Sequence, residues 1–149
     1  MATYLVINTG GTIGMVPSDT GLTPKAGIIA HALHHHPRLT DWHETQLRWI
    51  EWQPLLDSSE LQPAHWLTLK QQIDAADDVD GVLIVHGTDT LAYTACALSF
   101  ILSPRCPVVI TAAMRPIGET DSDAIDNLTL ALTQLQSARC EVIVAVHQA

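Results

Sequence analysis

Two threonines in glycine-rich settings carry most of the chemistry this sequence offers: Thr12 in VINTGGTIGMV, residues 6–16, and Thr88 in HGTDT, residues 86–90. A threonine hydroxyl becomes a nucleophile when a neighbouring group takes its proton and backbone N–H groups face the oxyanion that forms. Gly10 and Gly11, directly before Thr12, would let main chain and substrate approach closely, so Gly11 joins the substrate-binding candidates. Phosphate binding, a common use of glycines after a first strand, does not fit. The P-loop needs Gly-Lys followed by Ser or Thr, and the dinucleotide fingerprint needs Gly-x-Gly-x-x-Gly; Gly10, Gly11 and Gly14 match neither.

Other polar residues gather at similar places. PLLDSSE supplies Asp57, Ser58 and Ser59, and HGTDT adds Asp89 next to Thr88. Singly, each reads as a cap or turn: Asp57 or Ser58 as an Asx or Ser turn, Asp89 as the N-cap of a helix opening at Thr90. Together they suit a small zwitterion with an amide or acyl side chain. Ser58 would donate to a carboxylate, Asp89 would accept from an ammonium group, and Asp57 and Ser59 would line the same substrate-binding rim.

The elements that must position these residues alternate. Short β-branched or apolar runs occur at 3–8, 45–52, 81–86, 107–111 and 141–147, and helix-like stretches at 63–76, 90–102 and 121–137. Leu47, Trp49 and Glu51 fall on one side of the second run, and the 90–102 stretch, apolar nearly all round, is expected to pack on the sheet. This pattern predicts an α/β fold of three layers, a doubly wound and mostly parallel sheet of Rossmann or flavodoxin type, with right-handed crossovers. In such sheets ligands bind at the carboxyl ends of the strands, where the strand order reverses, and the first four runs end in or lead into NTGGT, PLLDSSE, HGTDT and TAAMRP.

Composition narrows the partners. The chain has 149 residues, the length of one ordinary domain, and is 47% hydrophobic and 15% charged. A formal charge of −9, from 16 acidic and 7 basic side chains, argues against nucleic acid and anionic membrane, which draw on clustered Lys and Arg. No apolar run approaches a membrane span and the amino terminus lacks a basic n-region, so a cytoplasmic address is expected. Cys96, Cys106 and Cys140 form no Cys-x-x-Cys pair and are read as buried apolar residues in a reducing compartment. His31 and His35 would present two imidazoles to a metal if they share a helix, but no third ligand is evident nearby. They are read as a solvated helix end, and no metal or cofactor is expected. His86 is read as a hydrogen-bonded structural group.

NTGGTIGM followed by PLLDSS, HGTDTLAYTACAL and VVITAAMRP resembles the amino-terminal domain of the bacterial-type L-asparaginases, nearest the cytoplasmic type I branch, from about Leu5 onward. The resemblance implies hydrolysis of L-asparagine to L-aspartate and ammonia, with Thr12 as the nucleophile that forms an acyl-enzyme. It implies that Thr88 is a second catalytic hydroxyl, that Asp89 holds the substrate ammonium and that Ser58 binds the α-carboxylate. Three departures stand beside it. Family members carry a second, smaller domain that lends residues to a neighbouring subunit's site; their catalytic lysine lies beyond the strand matching EVIVAVH; and a tyrosine of their mobile loop is replaced here by Leu22. Lys25 lies in the same stretch and reads as solvated. The expectation is a compact asparaginase, 1–149, that forms a homodimer or higher homo-oligomer. The alternatives are a non-catalytic binder of asparagine or aspartate and a fragment that acts with a partner.

Overall fold

The computed structural model describes residues 1–146. Five parallel strands form the central sheet: β1 (Thr3–Gly10), β4 (Gln46–Leu56), β5 (Gly81–Val85), β6 (Val108–Thr111) and β7 (Val142–Val144), in the order β4-β1-β5-β6-β7. A hairpin of β2 (Met15–Ser18) and β3 (Gly21–Pro24) follows β1. Helices α1 (Ile28–His35), α2 (Pro63–Ala75), α3 (Leu91–Ile101) and α4 (Ala124–Leu135) connect the sheet strands. The order corresponds to second-first-third-fourth-fifth along the chain, the flavodoxin-type arrangement, and reverses between β1 and β5. No helix among the described residues is long and apolar enough to cross a membrane.

Side chains alternate across the sheet and build two cores. Tyr4, Val6, Leu83, Val85 and Val109 face Ile29 and Leu33 of α1 and Leu128 and Leu132 of α4. Leu5, Ile7, Val82, Ile84 and Val108 face Leu69 and Ile73 of α2 and Leu98 of α3. The central strand β5 is buried at every position, which explains its unbroken apolar run. Strand β4, at the sheet edge, alternates as its sequence suggested: Leu47 and Trp49 pack on the first core, Ile50 and Trp52 on the second.

The placement of α4 overturns the expectation of uniform right-handed crossovers. The step from β1 to β4 runs toward one edge with α1 on the first face, while the steps to β5 and β6 run the other way with α2 and α3 on the second face. Those three share one hand, the right-handed sense that strand twist favours. The step from β6 to β7 continues in the latter direction, yet α4 lies on the face of α1, so this crossover is left-handed. Its local cause is the segment after β6: the amide of Ile117 donates to the carbonyl of Ile13 at 3.0 Å, which holds that segment beside the end of β1.

Other expectations shift at element ends. The last strand, expected over 141–147, is Val142–Val144, and His147 lies outside the described residues. The Leu22 stretch, expected as a loop, pairs in the hairpin, with Leu22 opposite Pro17 and exposed. In α3 only Thr94 and Leu98 are fully buried; Tyr93, Cys96 and Phe100 face outward, so this apolar helix covers the sheet with one side only. The cysteines are likewise not core residues: Cys96 and Cys140 are exposed and Cys106 is half-buried. They sit on an outward helix face and at strand starts, where small size does not dictate burial. Burial and the nearby Cys140 push the Cys106 thiol pKa up.

Candidate active site

The end of β1 is built on close backbone approach. Gly10 and Gly11 have φ of 128° and 94°, in the left-handed half of conformational space that side chains disfavour. A Cβ on Gly10 would lie 2.1 Å from the carbonyl oxygen of Leu56, and one on Gly11 would lie 2.6 Å from that of His86. The turn is thus wedged between the ends of β4 and β5, at the switch point of the sheet. Its amides are occupied. Gly10 N–H donates to Asn8 Oδ1 at 3.1 Å and Gly11 N–H to the Leu56 carbonyl at 3.1 Å, so neither amide is free to face an oxyanion. Thr12 opens a short 3-10 turn, Thr12–Gly14, and is half-buried.

Ser58 ties the neighbouring strand ends together. It is buried, and its Oγ accepts from the amide of Asp89 at 3.0 Å while its carbonyl accepts from Thr90 Oγ1 at 2.7 Å. A Cβ on Gly87 would lie 2.6 Å from Ser58 Oγ, so the HGTDT turn rests directly on this serine. Asp57 forms the expected Asx turn, its Oδ1 accepting from the amide and the hydroxyl of Ser59, each at 3.0 Å. Asp89 is not the helix cap. Thr90 occupies that position before Leu91, because the Asp89 amide is drawn to Ser58. The carboxylate of Asp89 and the hydroxyls of Thr12 and Thr88 take no hydrogen bond or ion pair from the described residues, and Asp89 and Thr88 are exposed.

His86 explains how HGTDT is held. Its Nδ1 meets the carbonyl of Gly87 at 2.7 Å and its Nε2 meets Thr94 Oγ1 at 2.8 Å. A carbonyl oxygen only accepts, so a neutral imidazole must carry its proton on Nδ1 and accept from Thr94 on Nε2. Thr94 in turn accepts from Trp66 Nε1 at 3.0 Å. Burial holds the imidazole pKa below its ordinary value, opposed by the Gly87 carbonyl bond. Both ring nitrogens are engaged, so His86 fixes the turn that carries Thr88 and does not serve as a base. The Trp66–Thr94–His86 relay escaped the sequence reading, since its members lie on α2, α3 and a strand end.

Further supports were equally silent in sequence. Glu51 accepts from Asn8 Nδ2 at 3.2 Å and from the Gly27 amide at 3.1 Å, joining the hairpin's exit to β1. Asp123 accepts from the amides of Met114 and Arg115 at 2.9 and 3.2 Å, and so shapes the segment after β6. Cavities of about 390 and 320 Å³ flank this region, one beside Trp52, His65 and Leu56 and one beside His31 and His35. No group of three or more His, Cys, Asp or Glu side chains converges as a metal site among the described residues.

Fold and rim together define an α/β protein in which Thr12 and Thr88, with hydroxyls unbonded among the described residues, stand at the switch point of a flavodoxin-type sheet. Residues 3–149 match the family described as Asparaginase, N-terminal, and the chain belongs to that family. L-asparaginase 1 of Escherichia coli K12 is 42% identical over 134 residues, covering 85% of this chain and 38% of that protein. One component of the glutamyl-tRNA(Gln) amidotransferase of Methanobrevibacter smithii is 35% identical over 145 residues, covering 95% of this chain and 33% of that protein. Among solved structures, L-asparaginase I of Vibrio cholerae has a TM-score of 0.81 at 33% identity, covering 96% of this chain and 44% of that one. The chain therefore spans less than half the length of these relatives.

Proposed function

We propose that this chain carries the nucleophile side of an amidohydrolase site for L-asparagine. The observation that carries the reading is the contrast at the switch point: the Gly10 and Gly11 amides and both ring nitrogens of His86 are bonded and Ser58 Oγ accepts from the Asp89 amide, while Thr12, Thr88 and Asp89 point no hydroxyl or carboxylate at a protein partner among the described residues. Thr12 Oγ adds to the side-chain amide carbon, its proton leaves with the departing ammonia, and water cleaves the resulting ester to release L-aspartate. Asp89 meets the substrate ammonium. Ser58, whose Oγ accepts one bond and still owns a proton, donates to the α-carboxylate, with Asp57, Ser59 and Gly11 forming the adjoining wall.

A second reading rests on the same contrast. Thr12 and Thr88 have no basic partner among the described residues, and Lys25 is exposed on the hairpin's exit. General acid-base assistance is worth about 10² to 10⁴ in rate, so without a base the chain would bind its amino acid and turn it over slowly. In this reading the proton acceptor comes from another segment or another chain. The proposal includes a homodimer, supported by the outward Tyr93 and Phe100 of α3, which are 68% and 87% exposed.

Ammonia release from L-asparagine by the purified chain tests the first reading, and thermal stabilisation by L-aspartate tests the second. Activity with stabilisation supports hydrolysis; stabilisation without activity supports the partner-supplied base. Absence of both overturns the assignment of this rim as an amino-acid site.

A further inference from the structure

We propose that His31 and His35 form a two-histidine chelate for a borderline divalent transition cation, of the Zn²⁺, Cu²⁺ or Ni²⁺ class, on the outer side of α1. The inference is independent of the amidohydrolase reading. The two residues lie four apart on α1, one above the other on the same helix face, the spacing by which helices present paired imidazoles to a metal. Their ring centroids are 4.6 Å apart and the rings are tilted by 50°. A cation held at about 2.0–2.1 Å by one nitrogen of each ring, at a right to tetrahedral angle, sets the two centroids about 4.5–5.2 Å apart. The observed pair falls within that span.

The neighbouring histidines separate by the same measure. His34 is 6.3 Å from His35 between centroids, too far to share the cation. His36 lines the same cavity, but its Nδ1 accepts from the amide of Arg38 at 3.1 Å. His31 and His35 are exposed, and neither ring is engaged in a hydrogen bond or ion pair among the described residues. The adjoining cavity of about 320 Å³, walled by Ile28, Ala32, Pro37 and Ile117, leaves room for the waters that would complete the coordination.

The consequence reaches the Thr12 turn. A Cβ on Gly14 would stand 3.7 Å from both Ile28 and Ile29, so α1 packs directly behind the 3-10 turn that Thr12 opens. A cation clamping the last turn of α1 stabilises the native state and the support of that turn, since unfolding separates the two ligands.

Titration of a Cys96→Ser/Cys140→Ser variant with Zn²⁺ alone, by calorimetry and thermal melting at pH 7.5, tests the proposal free of the exposed thiols. One saturable site is expected, with a rise in Tm. His31→Ala and His35→Ala should each weaken binding by at least about tenfold through loss of the chelate, while His34→Ala keeps it within about twofold. Absence of a saturable site, binding retained in both His31→Ala and His35→Ala, or equal weakening by His34→Ala would overturn the proposal.

Discussion

Thr12 and Leu22 stand at opposite ends of what single residues reveal here. The glycine pair before Thr12 was legible as a place of close backbone approach, and the structure supplies the reason: backbone of β4 and β5 closes on Gly10 and Gly11 where no Cβ fits. Leu22 was legible as a departure, but not as a paired hairpin residue, because the pairing depends on Met15–Ser18 folding back across a two-residue turn. A tyrosine there would add a phenol able to orient a hydroxyl or share a proton. Leu22→Tyr should raise kcat by a few-fold to about 10², with a smaller effect on KM, since the gain arises in the transition state. Steady-state kinetics of the variant check this; unchanged kcat in two active preparations would mean that the hairpin does not reach Thr12. Ser58 was legible as polar but not as the tie beneath Gly87, a role created by tertiary approach alone.

At the scale of elements, the five sheet strands and helices α2, α3 and α4 were read within a few residues because burial on both faces produces continuous apolar runs, whereas α1 was not bounded, its His-rich stretch offering no such run. The hairpin, the α4 crossover and the outward face of α3 were not, since apolar content does not say which side of a helix meets the sheet. The HGTDT turn also makes a pH prediction. His86 has a folded-state pKa below its unfolded value of about 6.5 because burial opposes the charged ring. Below that value the unfolded chain binds a proton that the native state resists, so stability is retained above it and declines as the pH falls through about 6.5. Urea unfolding at pH 7.5 and 5.5 should show a lower midpoint at the acid pH, and His86→Gln should lose most of that difference. Asp78, whose carboxyl pKa is lowered by its hydrogen bonds from Arg48, acts at lower pH and leaves this window unaffected. Equal midpoints for the native chain at the two pH values would contradict the account of His86.

At the scale of the whole molecule, the left-handed crossover and the exposed side of α3 have separate consequences. The crossover brings Ile117 to Ile13 and so closes the flank of the Thr12 turn, whereas a right-handed path would carry that segment to the opposite face. The α3 surface, with Tyr93 and Phe100 outward, predicts self-association that sedimentation at micromolar concentration should detect, and Phe100→Glu should weaken it. A strict monomer would contradict the dimer. The central claim concerns the chemistry of the switch point, and Thr12→Val tests it most directly because the substitution removes the hydroxyl and keeps the side-chain shape. Ammonia release from L-asparagine should be present in the native chain and fall to the background rate in the variant, with the melting temperature little changed. Release at the native rate from a folded Thr12→Val chain would contradict the assignment of Thr12 as the nucleophile.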